Sequence, residues 1–135
     1  MKILVLGDVM GASGRNALNK KLPQIIKNYE IDFVIANGEN SADDGRGITQ
    51  EIAEEFFKIG VDVITSGNHI WDKQETVNFI NKENSIKKFL KDKEAIKHFP
   101  AEGEGTLSGI IVETDTKTGL AKNVIRIIDG GSLTK

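Results

Sequence analysis

The stretch Gly67-Asn68-His69-Ile70-Trp71-Asp72 packs an amide, an imidazole and a carboxylate into one short turn, directly after an apolar segment at 61–65. Side chains of these types, held where a buried strand stops, can coordinate a metal ion or pass a proton to a substrate. Two earlier stretches are built the same way. Leu4-Val5-Leu6 runs into Gly7-Asp8-Val9, and Phe33-Val34-Ile35-Ala36 runs into Asn37-Gly38-Glu39-Asn40. Asp8 and Glu39 offer hard oxygens to a divalent or trivalent cation, and Asn40 and Asn68 offer neutral carbonyl oxygens. One such carboxylate can bridge two ions about 3.5–4 Å apart, which can clamp a phosphoryl oxygen and activate a water. His69 beside them can then protonate a leaving oxygen.

Each residue also has a plainer reading. Asp8 and Asn40 can cap helices or brace turns. His69 can be a satisfied structural histidine, and Trp71 a packing residue that fixes the loop. Glu39 is harder to explain this way, because a carboxylate straight after a buried strand needs a partner to offset its desolvation. His98 falls outside the three turns and reads as structural. Gly7, Gly11 and Gly14 are not in the order Gly-x-Gly-x-x-Gly, so they make a weak case for a dinucleotide site.

The positioning elements follow from the spacing. Residues 2–6 form a continuous apolar run, expected for a parallel strand covered on both faces, and 31–36 and 61–65 read as the second and third strands. Leu18, Leu22, Ile25 and Ile26 recur at helical spacing and predict a helix over 14–28, kinked or restarted at Pro23. Thr49 caps a second helix, which carries Ile52, Phe56, Phe57 and Ile59 and stops at Gly60. A third is expected over 73–80. The alternation implies a mainly parallel sheet with helices on its faces, and in such sheets ligands bind beyond the carboxyl ends of the strands. Asp8, Glu39, Asn40, Asn68 and His69 should all lie there. Residues 82–97 mix lysine and glutamate with Ile86, Phe89, Leu90 and Ile96, and predict a solvated helix with a narrow apolar face. Residues 106–114 and 121–128 flank Asp115-Thr116-Lys117-Thr118-Gly119 as an antiparallel hairpin. The expected fold is an α/β three-layer sandwich whose parallel central sheet gains the hairpin at one edge.

A length of 135 residues suits one domain, here 1–135. No apolar run approaches the ~18 residues of a membrane span, and the start is too short for a secretory apolar region, so a cytoplasmic location is expected. Without cysteine there is neither a disulfide framework nor a thiolate metal site. A net charge of −2 gives no general attraction to nucleic acid or to an anionic membrane.

Gly7-Asp8-Val9-Met10-Gly11, Asn37-Gly38-Glu39-Asn40-Ser41-Ala42 and Gly67-Asn68-His69-Ile70-Trp71-Asp72, in this order, resemble the YmdB-like branch of the calcineurin-like metallophosphoesterases over residues 1–81. The resemblance implies a dinuclear centre, usually iron, that acts on phosphodiesters such as cyclic nucleotides. It would make Asp8 and Asn40 ligands of one metal, Glu39 the bridge, Asn68 a ligand of the other metal and His69 the proton donor. Residues 85–130, including Ala101-Glu102-Gly103-Glu104-Gly105-Thr106-Leu107-Ser108-Gly109, resemble the family's carboxyl-terminal segment. Family members are roughly twice as long, in keeping with the size of large single α/β domains. The chain therefore reads as about half of a metallophosphoesterase sandwich, joined near 81–84, without the middle segment that carries the family's other histidine ligands. The expected function is metallophosphoesterase-like with an incomplete dinuclear site; the alternatives are a non-catalytic binding or assembly module and an uncommitted Rossmann-like nucleotide binder. Manganese or magnesium would suit the remaining oxygens better than iron. A phosphodiester or nucleotide is the expected small-molecule partner, and a homo-oligomer the expected assembly.

Overall fold

A computed structural model describes residues 1–80, 86–87 and 103–131. One sheet organises them, with strand order β4-β3-β2-β1-β5-β6. β1 (Lys2–Asp8), β2 (Phe33–Asn37), β3 (Val63–Thr65) and the two-residue β4 (Ile86–Lys87) run parallel. β5 (Leu107–Thr114) and β6 (Ala121–Asp129) form the antiparallel hairpin, and β5 joins the sheet along β1. Mixed pairing of this kind, parallel at the centre and antiparallel at the hairpin, is what the alternation of apolar segments predicted.

α1 (Gly11–Tyr29) starts three residues earlier than expected and is unbroken at Pro23. Pro23 is exposed, and so is Asn19, whose carbonyl loses its helical amide partner to the proline. α2 (Gln50–Lys58) is capped by Thr49, whose Oγ1 accepts the Ile52 N–H at 3.2 Å. It ends at Gly60, which takes a φ of +106° that glycine adopts at little cost. The turn Asn68–Asp72 is 3-10 helical and leads into α3 (Gln74–Phe79).

Residues 86–87 correct the helix expected over 82–97. They pair with β3, Ile64 with Ile86 and Thr65 with Lys87. An unpaired strand edge offers backbone hydrogen bonds that outweigh a narrow apolar helical face. The rest of that stretch, with His98, lies outside the described residues.

The path of the chain decides which face is covered. From β1 to β2 to β3 it steps in one direction across the sheet, and right-handed crossovers then put both connecting helices on the same side. The core shows this. Leu4, Leu6, Val34, Ala36, Ile64, Ile111 and Ile127 are buried from the sheet, against Leu18, Leu22 and Ile25 of α1 and Ile52, Ala53 and Phe56 of α2. Ile3, Val5, Phe33, Ile35, Val63, Ile110, Val112 and Val124 alternate with these along the strands and belong to the opposite face. None of them is in the buried core. Two layers of the expected sandwich, the sheet and one layer of helices, thus lie within the described residues. No helix among them is long and apolar enough to cross a membrane.

Candidate functional site

The carboxyl ends of β1, β2 and β3 are level with one another. Asp8 pairs with Asn37, and Asn37 with Thr65. Asp8 reaches that level through a register shift after Leu6, the kind of local bulge that re-aims a side chain at a sheet's edge. Backbone hydrogen bonds then knit the three following turns together. Val9 N–H donates to Asn37 O at 2.9 Å, Gly11 N–H to Asn40 O at 2.9 Å, and Gly38 N–H to Thr65 O at 3.0 Å.

The side chains continue the pattern. Asn40 Nδ2 donates to Asp8 Oδ2 at 2.7 Å. Asn37 Oδ1 accepts the Glu39 N–H at 3.0 Å, an Asx-type turn that fixes how Glu39 leaves its strand. Glu39 Oε1 in turn accepts the His69 N–H at 3.2 Å. Its carboxylate lies against Gly67, so close that a Cβ at that position would overlap both carboxylate oxygens. Glycine is required there for contact, since its backbone φ of −115° is open to any residue. Glu39 thus has the partner that its desolvation demands. Neither Asp8 nor Asn40 caps α1 or α2, because the N-cap of α1 is Met10, with no side-chain cap, and that of α2 is Thr49.

His69 is buried and its Nδ1 lies 3.3 Å from Asp72 Oδ2, out of line for a hydrogen bond. Three polar atoms in this one short stretch, Ser66 Oγ, His69 Nδ1 and Trp71 Nε1, are buried without a hydrogen-bond partner. Such atoms are uncommon in folded proteins. Trp71 itself is half-buried against the core, as a loop-fixing residue would be.

A cleft of about 400 Å³ lined by Asn37, Glu39, Thr65, Ser66, Gly67 and Asn68 opens at the ends of β2 and β3. A separate cleft of about 710 Å³ is lined by Arg15, Asp43, Asp44, Asp72 and Lys73 among others, and ion pairs hold its walls. Arg15 joins Ser41 O and Asp43, Lys73 Nζ meets Asp44 Oδ2 at 2.7 Å, and Arg46 lies 3.9 Å from Asp72. The hydrogen bond from Lys73 holds the Asp44 carboxyl below the usual aspartate range. Spacing in the sequence could not reveal Arg15 or Lys73 as braces, because each meets residues 26–29 positions away.

Asp8, Glu39, Asn40, Asn68 and His69 therefore share one edge of the sheet, with direct hydrogen bonds between Asp8 and Asn40 and between Glu39 and the backbone of His69. The side-chain oxygens of Asp8, Glu39, Asn40 and Asn68 have the chemistry of a site for a hard cation, and Glu39 and Asn68 line the cleft beside Ser66. Among the described residues no three histidine, cysteine, aspartate or glutamate side chains gather as a metal-ligand group.

The model of a family described as YmdB-like protein matches residues 4–89. The 2′,3′-cyclic-nucleotide 2′-phosphodiesterase of Bacillus subtilis is 43% identical over 81 residues, which are 60% of this chain and 30% of that protein. Among solved structures, a protein described as a novel phosphatase from Mycoplasma pneumoniae superposes with a TM-score of 0.63 at 31% identity, over 80% of this chain and 38% of the other. A hypothetical protein from Thermus thermophilus superposes with a TM-score of 0.59 at 36% identity, over 65% and 33% of the two chains. The match thus spans about a third of the length of each relative.

Proposed function

This chain belongs to the family of YmdB-like proteins, and from that premise we propose that its strand-end turns form part of a metal-dependent phosphoesterase site that binds a hard divalent cation and a nucleotide-type phosphodiester. The observation that carries the reading is the knitting of three turns at one sheet edge, with Asn40 hydrogen-bonded to Asp8 and Glu39 to the backbone of His69. In this reading Asp8, Glu39, Asn40 and Asn68 turn oxygens toward the cation, and His69 donates a proton to the leaving oxygen. A bound cation would neutralise phosphoryl charge and lower the pKa of a water. Gly67 lets Glu39 close on the turn, and Asn37 sets its direction.

Turnover near background follows from the donor count. Four side chains cannot satisfy two ions that each take about four to six ligands, even with Glu39 as a bridge. An all-oxygen set also favours magnesium or manganese over iron. The lack of a histidine and carboxylate ligand cluster among the described residues favours, as the second reading, a non-catalytic relative that binds phosphoesters or assembles without hydrolysing them. A cytoplasmic setting, a single domain and a homo-oligomeric state complete the proposal.

The test is titration with manganese, followed by hydrolysis of a generic phosphodiester, for the unmodified chain and for Glu39→Ala and His69→Ala. Weak cation binding that Glu39→Ala removes, with hydrolysis near background in all three, is expected. Fast hydrolysis that both substitutions abolish would overturn the incomplete-site reading. Cation binding unchanged by Glu39→Ala would remove the site altogether.

A further inference from the structure

Among the described residues, the sheet face opposite the helices is lined by apolar side chains along five strands. Ile3 and Val5 from β1, Phe33 and Ile35 from β2, Val63 from β3, Ile110 and Val112 from β5 and Val124 from β6 lie side by side on it. Ile110 is 40% exposed and Val124 57% exposed, and the other six are partly buried. Arg126, on the outermost strand, pairs with Ile110 and puts a charge near the margin of this face. A face that is apolar at its centre and charged only toward its margin has the anatomy of an interface.

We propose that this face is the contact surface for a second copy of the same chain, the two sheets packing face to face as a closed dimer. Area supports this occupant. Five strands spaced about 4.8 Å apart, each contributing about five residues of about 3.4 Å, cover on the order of 400 Å² in flat projection. That approaches the ~500 Å² per partner, about 1,000 Å² in all, that a specific interface must clear. Shape and symmetry agree with it. Two sheets of the same twist pack about 10 Å apart at a small angle, and a two-fold axis lets one apolar face meet its own copy without a second, specialised surface. The face also adjoins the cleft. Asn37 and Thr65, the next positions after Ile35 and Val63 in the same alternation, line the cleft that holds Glu39 and Asn68. A copy seated on the face therefore walls that cleft, and the half-built site closes only in the dimer. The dimer itself does not depend on the functional reading, and its test uses no substrate.

The chain has no cysteine, so single-cysteine variants report cleanly. Ile110 and Ile125 are each 40% exposed, on neighbouring strands and on opposite faces of the sheet. Sedimentation should give twice the 14.8 kDa chain mass. At high concentration the thiol of Ile110→Cys should react with a maleimide at least ten-fold more slowly than that of Ile125→Cys, and dilution to monomer should erase the difference. Val5→Lys, which puts a charge at the centre of the face, should yield a monomer that keeps its far-ultraviolet dichroism. Should that variant fail to fold, the cysteine pair decides alone. A monomeric mass at high concentration, equal labelling of the two thiols, or protection of Ile110→Cys that survives dilution would each overturn the proposal, the last by showing that the chain covers its own face.

Discussion

The two faces of the sheet are made of similar residues and have different fates. On one, Leu4, Val34 and Ile64 are at most 2% exposed beneath α1 and α2. On the other, Val5, Ile35 and Val63 stand one residue away along the same strands and are only partly buried. Hydrophobicity alone therefore does not decide burial. The direction in which the chain crosses the sheet does, because one-way progress with right-handed crossovers stacks both connecting helices, α1 and α2, on one side.

The sharpest way to break this contrast is to truncate one aromatic on each side. Phe56→Ala, from a fully buried position under the sheet, should cost about 3–5 kcal/mol in a urea titration. Phe33→Ala on the opposite face should cost about 1 kcal/mol or less when measured in dilute monomer. Equal losses would mean that the open face is packed after all. Two neighbours on β5 give a closer comparison at somewhat smaller amplitude. Ile111→Ala, from a site 2% exposed, should cost about 2–4 kcal/mol, and Ile110→Ala well under half as much.

Where the faces meet, at the carboxyl edge, Gly67→Ala should cost about 1–3 kcal/mol, since the added carbon overlaps the Glu39 carboxylate and something must move. A crystal structure or amide shifts of the variant should show Glu39 displaced from the His69 N–H. An unmoved Glu39 would disprove the required contact. The smallest effect belongs to the hairpin tip, outside both faces. A hydrogen bond from Lys122, with further ones from the Thr118 and Lys117 amides, holds Asp115 at about 2. Its folded value lies below the usual aspartate value of 3.8, so its contribution is present above that value and is lost as the pH falls through about 2. The amide signals of Lys117 and Thr118 should titrate with a midpoint near 2, and a midpoint near 3.8 would refute the bonding pattern.

The sheet, and the gathering of the polar turns at its carboxyl edge, were legible in the sequence because both rest on local signals. Short apolar runs that stop at Gly7, Asn37 and Ser66 mark strands, and polar residues gather where they stop. The hairpin came through to within a residue at either end, since its turn residues and alternation lie close together. The start of α1 and the pairing of 86–87 did not. The first depends on how Gly11 joins the second turn through Asn40 O, and the second on an open edge of β3. Both are contacts between distant segments. The same holds for Glu39 on Gly67, where neither residue's neighbours announce the other.

The place of β1 has a consequence for the order of folding. It is hydrogen-bonded on one side to β2 and on the other to β5, with Ile3 opposite both Phe33 and Val112. During synthesis the first partner arrives soon after β1 itself, while the second begins at Leu107, some 70 residues beyond the end of β2 at Asn37. At about 5–20 residues per second that interval lasts roughly 4–14 s. Throughout it the nascent sheet presents β1 as a bare edge, open to any extended segment nearby. The hairpin itself zips in microseconds once made, so the vulnerable period is set by the ribosome and not by the chain.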